Sequence, residues 1–140
     1  MRNVVAVWFL LTLTAAVPAR TGTSVEVIIN KVRNDKGVLM VGLFNSDKTF
    51  MVEPLKGEKP RAQAGTMRVV FQDVPPGVYA VSAYHDMNEN GNLDTGNFGK
   101  PREGVGFSNN VMGKFGPPTF DQASFKCPVT GPLTINLKYY

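Results

Sequence analysis

Apolar and polar residues alternate at every second position in several stretches of the sequence, and this pattern constrains the fold more than any other feature. It occurs in four segments, at residues 25–29, 67–71, 79–83 and 133–139. A period of two places successive side chains on opposite faces of a β-strand, so each segment predicts a strand with one face in the core. The 14 glycines and 10 prolines favour many turns. We therefore predict an all-β fold, a single antiparallel β-sandwich of about seven strands.

Turn residues between these segments predict how the strands pair. The turn at residues 34–37 is expected to close a hairpin between the first segment and residues 38–44. Pro75-Pro76-Gly77 is expected to close a second hairpin between the second and third segments. Residues 45–64 carry proline, glycine and charges, so we expect a long surface loop with one helical turn near residues 46–51.

The first residues of the chain have the pattern of a secretory signal peptide. Arg2 precedes an apolar run at residues 4–17, which is too short to cross a bilayer core, and Val17-Pro18-Ala19 has the small residues of a cleavage site. We predict a signal peptide at residues 1–19, a single domain at residues 20–140, and a periplasmic or extracellular location. The lone Cys127 excludes an intramolecular disulfide and is expected to be a half-buried small hydrophobe.

The charge pattern argues against nucleic acid as a partner. The formal net charge is +4, and the 15 Lys and Arg residues are scattered along the chain. The tightest group is Lys56, Lys59 and Arg61, and it has no aromatic side chains placed for base stacking. Hydrophobic residues make up 43% of the chain, enough for one core. We expect an unknown ligand or cell-envelope partner, with no membrane span in the mature chain.

One segment carries specific chemistry, and its spacing is that of a calcium loop. Asp86, Asn88 and Asn90 occupy positions 1, 3 and 5 of the D-x-[DN]-x-[DN]-G pattern, and Gly91 occupies position 6. Alternate oxygen-bearing side chains converge on one point only when the chain curls tightly around it. The remaining candidate ligands are the Asn92 carbonyl at position 7, Asp94 at position 9, and Glu103.

The loop departs from the EF-hand pattern at position 12, where Asn97 replaces the bidentate glutamate, so Glu103 is the candidate to complete the site. With few carboxylates, the predicted site is weak, with a dissociation constant on the order of 10⁻⁴ to 10⁻³ M. The alternative interpretation is a structural Asn90-Gly91 turn whose asparagines cap their own backbone.

Several motifs together resemble a known bacterial family. They are Pro76-Gly77-Val78-Tyr79-Ala80-Val81, His85-Asp86 with its Asn-Gly-Leu-Asp loop, and the run from Gly99 to Asn110 containing Glu103-Gly104-Val105-Gly106-Phe107-Ser108-Asn109-Asn110. The sequence closely resembles the exported family catalogued as domain of unknown function 2141, over the whole mature chain. The resemblance implies a secreted, single-domain sandwich of immunoglobulin-like or transthyretin-like type, and it implies no activity.

An enzymatic alternative uses His85 with Asp86 or Glu103 as a small secreted hydrolase, with Ser108 in the same cleft. The sequence contains no nucleophile elbow and no phosphate-binding loop. His85 also continues the buried face of the strand at residues 79–83, so we expect a hydrogen-bonded core histidine that fastens the loop. The favoured prediction is therefore a non-catalytic binding or structural module.

Overall fold

The computed structural model describes Ala16 and residues 22–140 of the chain. Apart from Ala16, the predicted signal peptide lies outside the described residues. The strands within them are β1 (Thr23–Val32), β2 (Val38–Phe44), β3 (Lys56–Glu58), β4 (Gly65–Val74), β5 (Gly77–Asp86), β6 (Val105–Phe107), β7 (Phe125–Cys127) and β8 (Leu133–Asn136). The helical pieces are α1 (Phe120–Ala123) and two 3-10 turns, Asn97–Gly99 and Ser108–Asn110. The predicted all-β class is confirmed.

Two sheets enclose the main core, as a sandwich requires. One sheet has the order β4-β1-β8, and the other has the order β3-β2-β5-β6, with β7 paired to the first residues of β5. The alternating segments supply the inward faces: Val27, Phe71, Val81 and Ile135 are each at most 1% exposed. The alternation therefore predicted correctly which side chains form the core.

The first predicted hairpin is wrong. β1 pairs with β4 and β8, whereas β2 pairs with β3 and β5, so the turn at residues 34–37 crosses from one sheet to the other. The polar groups of this turn bond to distant segments: the Gly37 carbonyl accepts from Ala62 N at 3.0 Å, and the Asp35 carboxylate accepts from Ala64 N at 2.6 Å. These bonds satisfy polar groups of the turn and stabilise its path from one sheet to the other.

The second predicted hairpin is wrong for a related reason. β4 and β5 lie in different sheets, and the Pro75-Pro76 turn passes between them. β5 is buried on both faces, since Ala80 and Val81 are both 0% exposed. A strand with two apolar faces belongs in the interior of a sheet, between two neighbours, and β5 accordingly lies between β2 and β6.

The outer face of the larger sheet carries a second, aromatic core. Phe50 lies at its centre, with ring centroids 5.3 Å from Phe44, 6.3 Å from Phe107 and 5.9 Å from Phe120. Phe50 belongs to the predicted helical turn, where its N–H donates to the Ser46 carbonyl at 3.1 Å. The surface segment 45–64 thus holds this turn and a short edge strand, β3, that the sequence did not predict. Within residues 22–140, no helix has the length and apolarity needed to span a membrane.

Candidate functional site: the acidic loop

The predicted calcium loop begins where β5 ends and closes at the base of a small hairpin. Asp86 is the last residue of β5, and the chain then turns through residues 87–94. Residues 94–102 form the hairpin, in which Arg102 N donates to the Asp94 carbonyl at 2.8 Å. The hairpin brings Glu103 back beside Asp94. We call residues 86–94 together with Glu103 the acidic loop.

The buried Asp86 carboxylate determines the curl of the loop. Its side chain is 0% exposed, and its Oδ1 and Oδ2 atoms accept hydrogen bonds from Asn90 N at 3.2 Å and Gly91 N at 2.8 Å. Gly91 has φ of 76°, a left-handed conformation that glycine adopts without strain. The loop therefore turns sharply at the position where the calcium-loop pattern requires it.

Three predicted ligand side chains converge above this curl. Asn88 Nδ2 donates to Asp94 Oδ2 at 2.5 Å, and Asn90 Nδ2 donates to Asp94 Oδ1 at 2.8 Å. The Asn92 side chain lies at the rim, where its Nδ2 donates to the Asn90 carbonyl at 3.3 Å. The side chains of Asn88, Asn90 and Asp94 thus lie together, whereas the side-chain amide of Asn92 bonds to a backbone carbonyl and not to Asp94.

Glu103 enters the acidic loop from the opposite side and is 3% exposed. Its two carboxylate oxygens accept from Met87 N and Asp94 N, both at 3.1 Å. Burial raises the pKa of Glu103; the two N–H bonds act in the opposite direction, and the negative charges of Asp94 and Asp86 raise the pKa further. The hairpin therefore brings Glu103 to the loop as a further carboxylate beside Asp86 and Asp94, and its role as a calcium ligand stays a prediction.

The three carboxylates have no cationic partner within residues 22–140. The ion pairs formed there join Arg61 to Glu89, at 3.2 Å, and Arg68 to Glu26; Glu89 belongs to the loop, but neither pair includes Asp86, Asp94 or Glu103. In the same part of the chain, no three His, Cys, Asp or Glu side chains are grouped closely enough to hold a metal by themselves. The predicted ligand set relies on asparagine oxygens as much as on carboxylates, so the calcium site stays a prediction.

His85 is a buried core histidine whose two ring nitrogens both have partners. Nε2 lies 2.7 Å from the Lys36 carbonyl, which can only accept, so Nε2 carries the proton. Nδ1 lies 2.9 Å from the hydroxyl of Tyr139, which donates to it when the ring is neutral. His85 thus fastens the 34–37 turn and the C-terminal segment rather than the acidic loop itself. None of its ring bonds goes to Asp86 or Glu103, so the arrangement gives the hydrolase alternative no paired base.

Ser108 lies in a separate polar cluster that the sequence did not predict. Its hydroxyl is 0% exposed, accepts from Val81 N at 2.9 Å and donates to the Ala123 carbonyl. Asn109 Nδ2 donates to the carbonyls of Gln122 and Ser124, at 3.1 and 2.9 Å. We call Ser108, Asn109 and Asn110 the Ser108 junction, because it ties β5, α1 and β8 together.

The junction depends on glycine and on two left-handed asparagines. Asn109 and Asn110 have φ of 62° and 50°, and asparagine tolerates this conformation better than most residues. Asn110 Oδ1 also accepts from Asn136 N at 2.8 Å. A Cβ on Gly106 would lie 2.4 Å from Ile135 Cγ2, so only glycine lets β6 approach β8. The adjacent asparagines after Gly106 were the available sequence signal.

The comparison with protein families agrees with these motifs. The model of a family described as an uncharacterised protein conserved in bacteria, domain of unknown function 2141, matches residues 27–135. The chain belongs to this family. The match includes the acidic loop, the Ser108 junction, six of the eight strands in full and most of β1 and β8. No curated protein and no solved structure matches the chain.

Proposed function

We propose that this member of the family is an exported, non-catalytic binding or structural module whose acidic loop binds calcium. One observation carries the calcium proposal: around a tight curl, the carboxylate oxygens of Asp86, Asp94 and Glu103 are fixed by N–H groups of the loop, and no basic side chain of residues 22–140 pairs with them. The negative charges of Asp94 and Asp86 act on Glu103 and raise its pKa, and a hard divalent cation with oxygen ligands would remove that repulsion.

The geometry supplies a reason why calcium suits this loop better than magnesium. The carboxylate oxygens of Asp86 and Glu103 accept hydrogen bonds from backbone N–H groups. Each oxygen retains a second lone pair for a ligand. Oxygens positioned in this way would form an irregular set of ligands, which calcium accepts because it takes six to eight ligands in flexible geometry. Magnesium demands a tighter octahedron and sheds water reluctantly.

Calcium-dependent unfolding tests the proposal. For a site with a dissociation constant of about 0.1 mM, about 10 mM calcium adds roughly 2.7 kcal/mol to the free energy of unfolding. Magnesium at the same concentration is expected to add much less. The measurement is chemical denaturation of the mature domain in a chelator, in calcium and in magnesium. An unfolding curve that calcium leaves unchanged contradicts the proposal.

A matched pair of variants separates specific binding from general charge screening. Asp94→Asn removes one negative charge from the converging side chains and is expected to remove most of the calcium effect. Glu89→Gln removes one negative charge from the same loop, but Glu89 is exposed, pairs with Arg61 and is not a predicted ligand. It is expected to retain the full calcium effect. If both variants lose the effect equally, calcium acts only by screening, and the site assignment is wrong.

A further inference from the structure

Two loops at one end of the sandwich repeat the same six-residue pattern. Gly96-Asn97-Phe98-Gly99-Lys100-Pro101 and Gly113-Lys114-Phe115-Gly116-Pro117-Pro118 both read Gly-x-Phe-Gly-x-Pro. The phenylalanines at their centres are fully exposed, at 101% and 103%. Two solvent-exposed phenylalanines in corresponding positions are costly in water, and exposed apolar groups of this size mark binding surfaces.

The two loops flank a concave groove of about 620 Å³. Val105 and Phe107 of β6 contribute to it from the protein interior, and Phe98 and Phe115 contribute from the two loops. A concavity of this size lies within the range of small-molecule sites, which is roughly 300 to 1,000 Å³. We call it the phenylalanine groove.

The backbone holds Phe98 in its exposed position. Phe98 has φ of 61° and ψ of 26°, a left-handed conformation that is rare for a bulky side chain. The hairpin keeps it there, because Gly96 N donates to the Lys100 carbonyl at 2.7 Å. Strain that the surrounding structure maintains is typical of functional surfaces. The loop thus fixes the backbone from which the exposed ring of Phe98 projects.

The charged side chains that line the groove are all positive. Lys100 and Lys114 are its charged lining residues, and no Asp or Glu lines it. Lys138 Nζ lies 4.7 Å from the ring centroid of Tyr140, another lining residue, and adds a third cation nearby. The complementary ligand therefore has an apolar body and an anionic head.

We propose that the phenylalanine groove binds a single-chain anionic amphiphile, such as a long-chain carboxylate. The chain lies in the concavity between Phe98 and Phe115, and the anionic head meets Lys100 and Lys114. A bilayer surface would touch the two exposed rings and leave the concavity unfilled, so one amphiphile fits the shape better. The groove shares Leu93 with the acidic loop, but its proposed ligand contacts are separate from the calcium proposal, because Asp86, Asp94 and Glu103 do not line it.

Titration of the mature domain with monomeric dodecanoate, followed by calorimetry and amide chemical shifts, tests this proposal in a chelator. We expect saturable binding with shifts confined to residues around the two loops. Dodecyltrimethylammonium has the same chain with the opposite charge and is expected to bind at least about tenfold more weakly. Equal binding of the two amphiphiles overturns the anionic assignment.

Paired variants locate the site. Phe98→Ser combined with Phe115→Ser, and separately Lys100→Glu combined with Lys114→Glu, should each weaken dodecanoate binding at least about tenfold. Their controls are Val52→Ser, an 80% exposed apolar residue, and Lys126→Glu, an exposed cation; neither lines the groove. Both controls should bind as the wild type does. Unchanged binding in both double variants overturns the groove as the site.

Two further measurements keep the result interpretable. Because the substituted side chains are exposed, the double variants should unfold at the wild-type denaturant concentration, which confirms that they are folded. Sedimentation with anionic phospholipid vesicles tests a membrane surface. Vesicle binding without any binding of monomeric dodecanoate contradicts the proposal and identifies the exposed phenylalanines as a membrane contact.

Discussion

The acidic loop and the Ser108 junction are both rich in asparagine and both anchored by a buried polar side chain, Asp86 in one and Ser108 in the other. The junction is neutral, and its hydroxyl and amide groups bond to backbone groups of neighbouring elements. The loop gathers three carboxylates and bonds mostly to itself and to the adjoining hairpin.

On this difference rests the proposal that the junction is a cross-link and the acidic loop a binding site. In the junction, each buried donor meets an acceptor, so a ligand has nothing left to satisfy. In the acidic loop, each oxygen of Asp86, Asp94 and Glu103 accepts one hydrogen bond and retains a further lone pair, and these side chains are acidic. Similar residue types therefore have different roles, which the balance of donors, acceptors and charge determines. The following predictions test that distinction.

The largest effect is expected from Asp86→Asn measured in calcium. An asparagine offers one oxygen where Asp86 offers two, so its amide group faces the N–H of Asn90 or Gly91 and leaves a buried donor unsatisfied. That costs about 1–3 kcal/mol without calcium, and loss of the calcium increment brings the total to roughly 4–6 kcal/mol. Denaturation in chelator and in calcium measures both parts. An equal loss under the two conditions would identify the loop as a purely structural turn.

Ser108→Ala should cost about 2–4 kcal/mol, because it leaves Val81 N–H and the Ala123 carbonyl buried without their hydroxyl partner. The loss should be the same with and without calcium. Ser124→Ala is the matched control, since that hydroxyl makes one exposed bond to the Asp121 carbonyl and its loss should cost less than about 1 kcal/mol. A calcium-dependent loss for Ser108→Ala would break the proposed distinction.

A pair of asparagine variants compares the two regions directly. Asn109→Ala puts alanine, which tolerates a φ of 62° less well than asparagine, at this position and removes two bonds to carbonyls, so it should cost about 1–2 kcal/mol in chelator. Asn88→Ala removes exposed bonds and should cost less than about 0.5 kcal/mol in chelator, but it should weaken the calcium effect. Chemical denaturation of both variants under both conditions checks this crossed pattern. The reverse pattern would exchange the roles assigned to the two regions.

The smallest expected effect is a dependence on pH. The pKa of Glu103 in the folded protein is raised above its ordinary value of 4.5, mainly by burial, so the folded state holds this proton more tightly than the unfolded chain. The stability that Glu103 contributes is therefore fully present below the unfolded pKa and is lost as pH rises through the folded pKa.

Unfolding of the wild type and of Glu103→Gln in chelator, between about pH 4 and pH 7, checks this sign. The wild type should lose stability relative to the variant as pH rises across this window. The difference between the wild type and Ser108→Ala should stay constant over the same range, because the junction contains no titratable side chain. If the wild type became more stable relative to Glu103→Gln as pH rises, the predicted direction would be contradicted.

The alternating segments predicted β1, β4, β5 and β8 and their buried faces, because a period of two fixes which side chains point inward. The pattern could not predict pairing, since it describes faces and not neighbours. A useful signal was present in β5, where consecutive apolar residues such as Ala80 and Val81 indicate a strand covered on both faces. β3, β6 and β7 were missed because strands of three residues have no recognisable periodicity.

At the candidate site, the spacing of polar residues predicted the curl around Asp86 and its sharp turn at Gly91. It also suggested Glu103, which the hairpin does bring to the loop. The sequence could not predict which nitrogen or oxygen each asparagine presents, since an amide orients according to its neighbours. The role of Ser108 was hidden for the same reason, because its partners lie 15 and 27 positions away along the chain.

The parallel pairing of β1 with β8 has a consequence for the order in which the protein assembles. Ile29 lies beside Ile135, so the first long strand has one of its two neighbours at the far end of the polypeptide. A chain that emerges N-terminus first, from a ribosome or a membrane pore, leaves that edge of β1 open until residues 133–136 are free. The three-stranded sheet can therefore be completed only after β8 has emerged, and loss of residues 133–136 would leave an apolar strand edge available to other molecules.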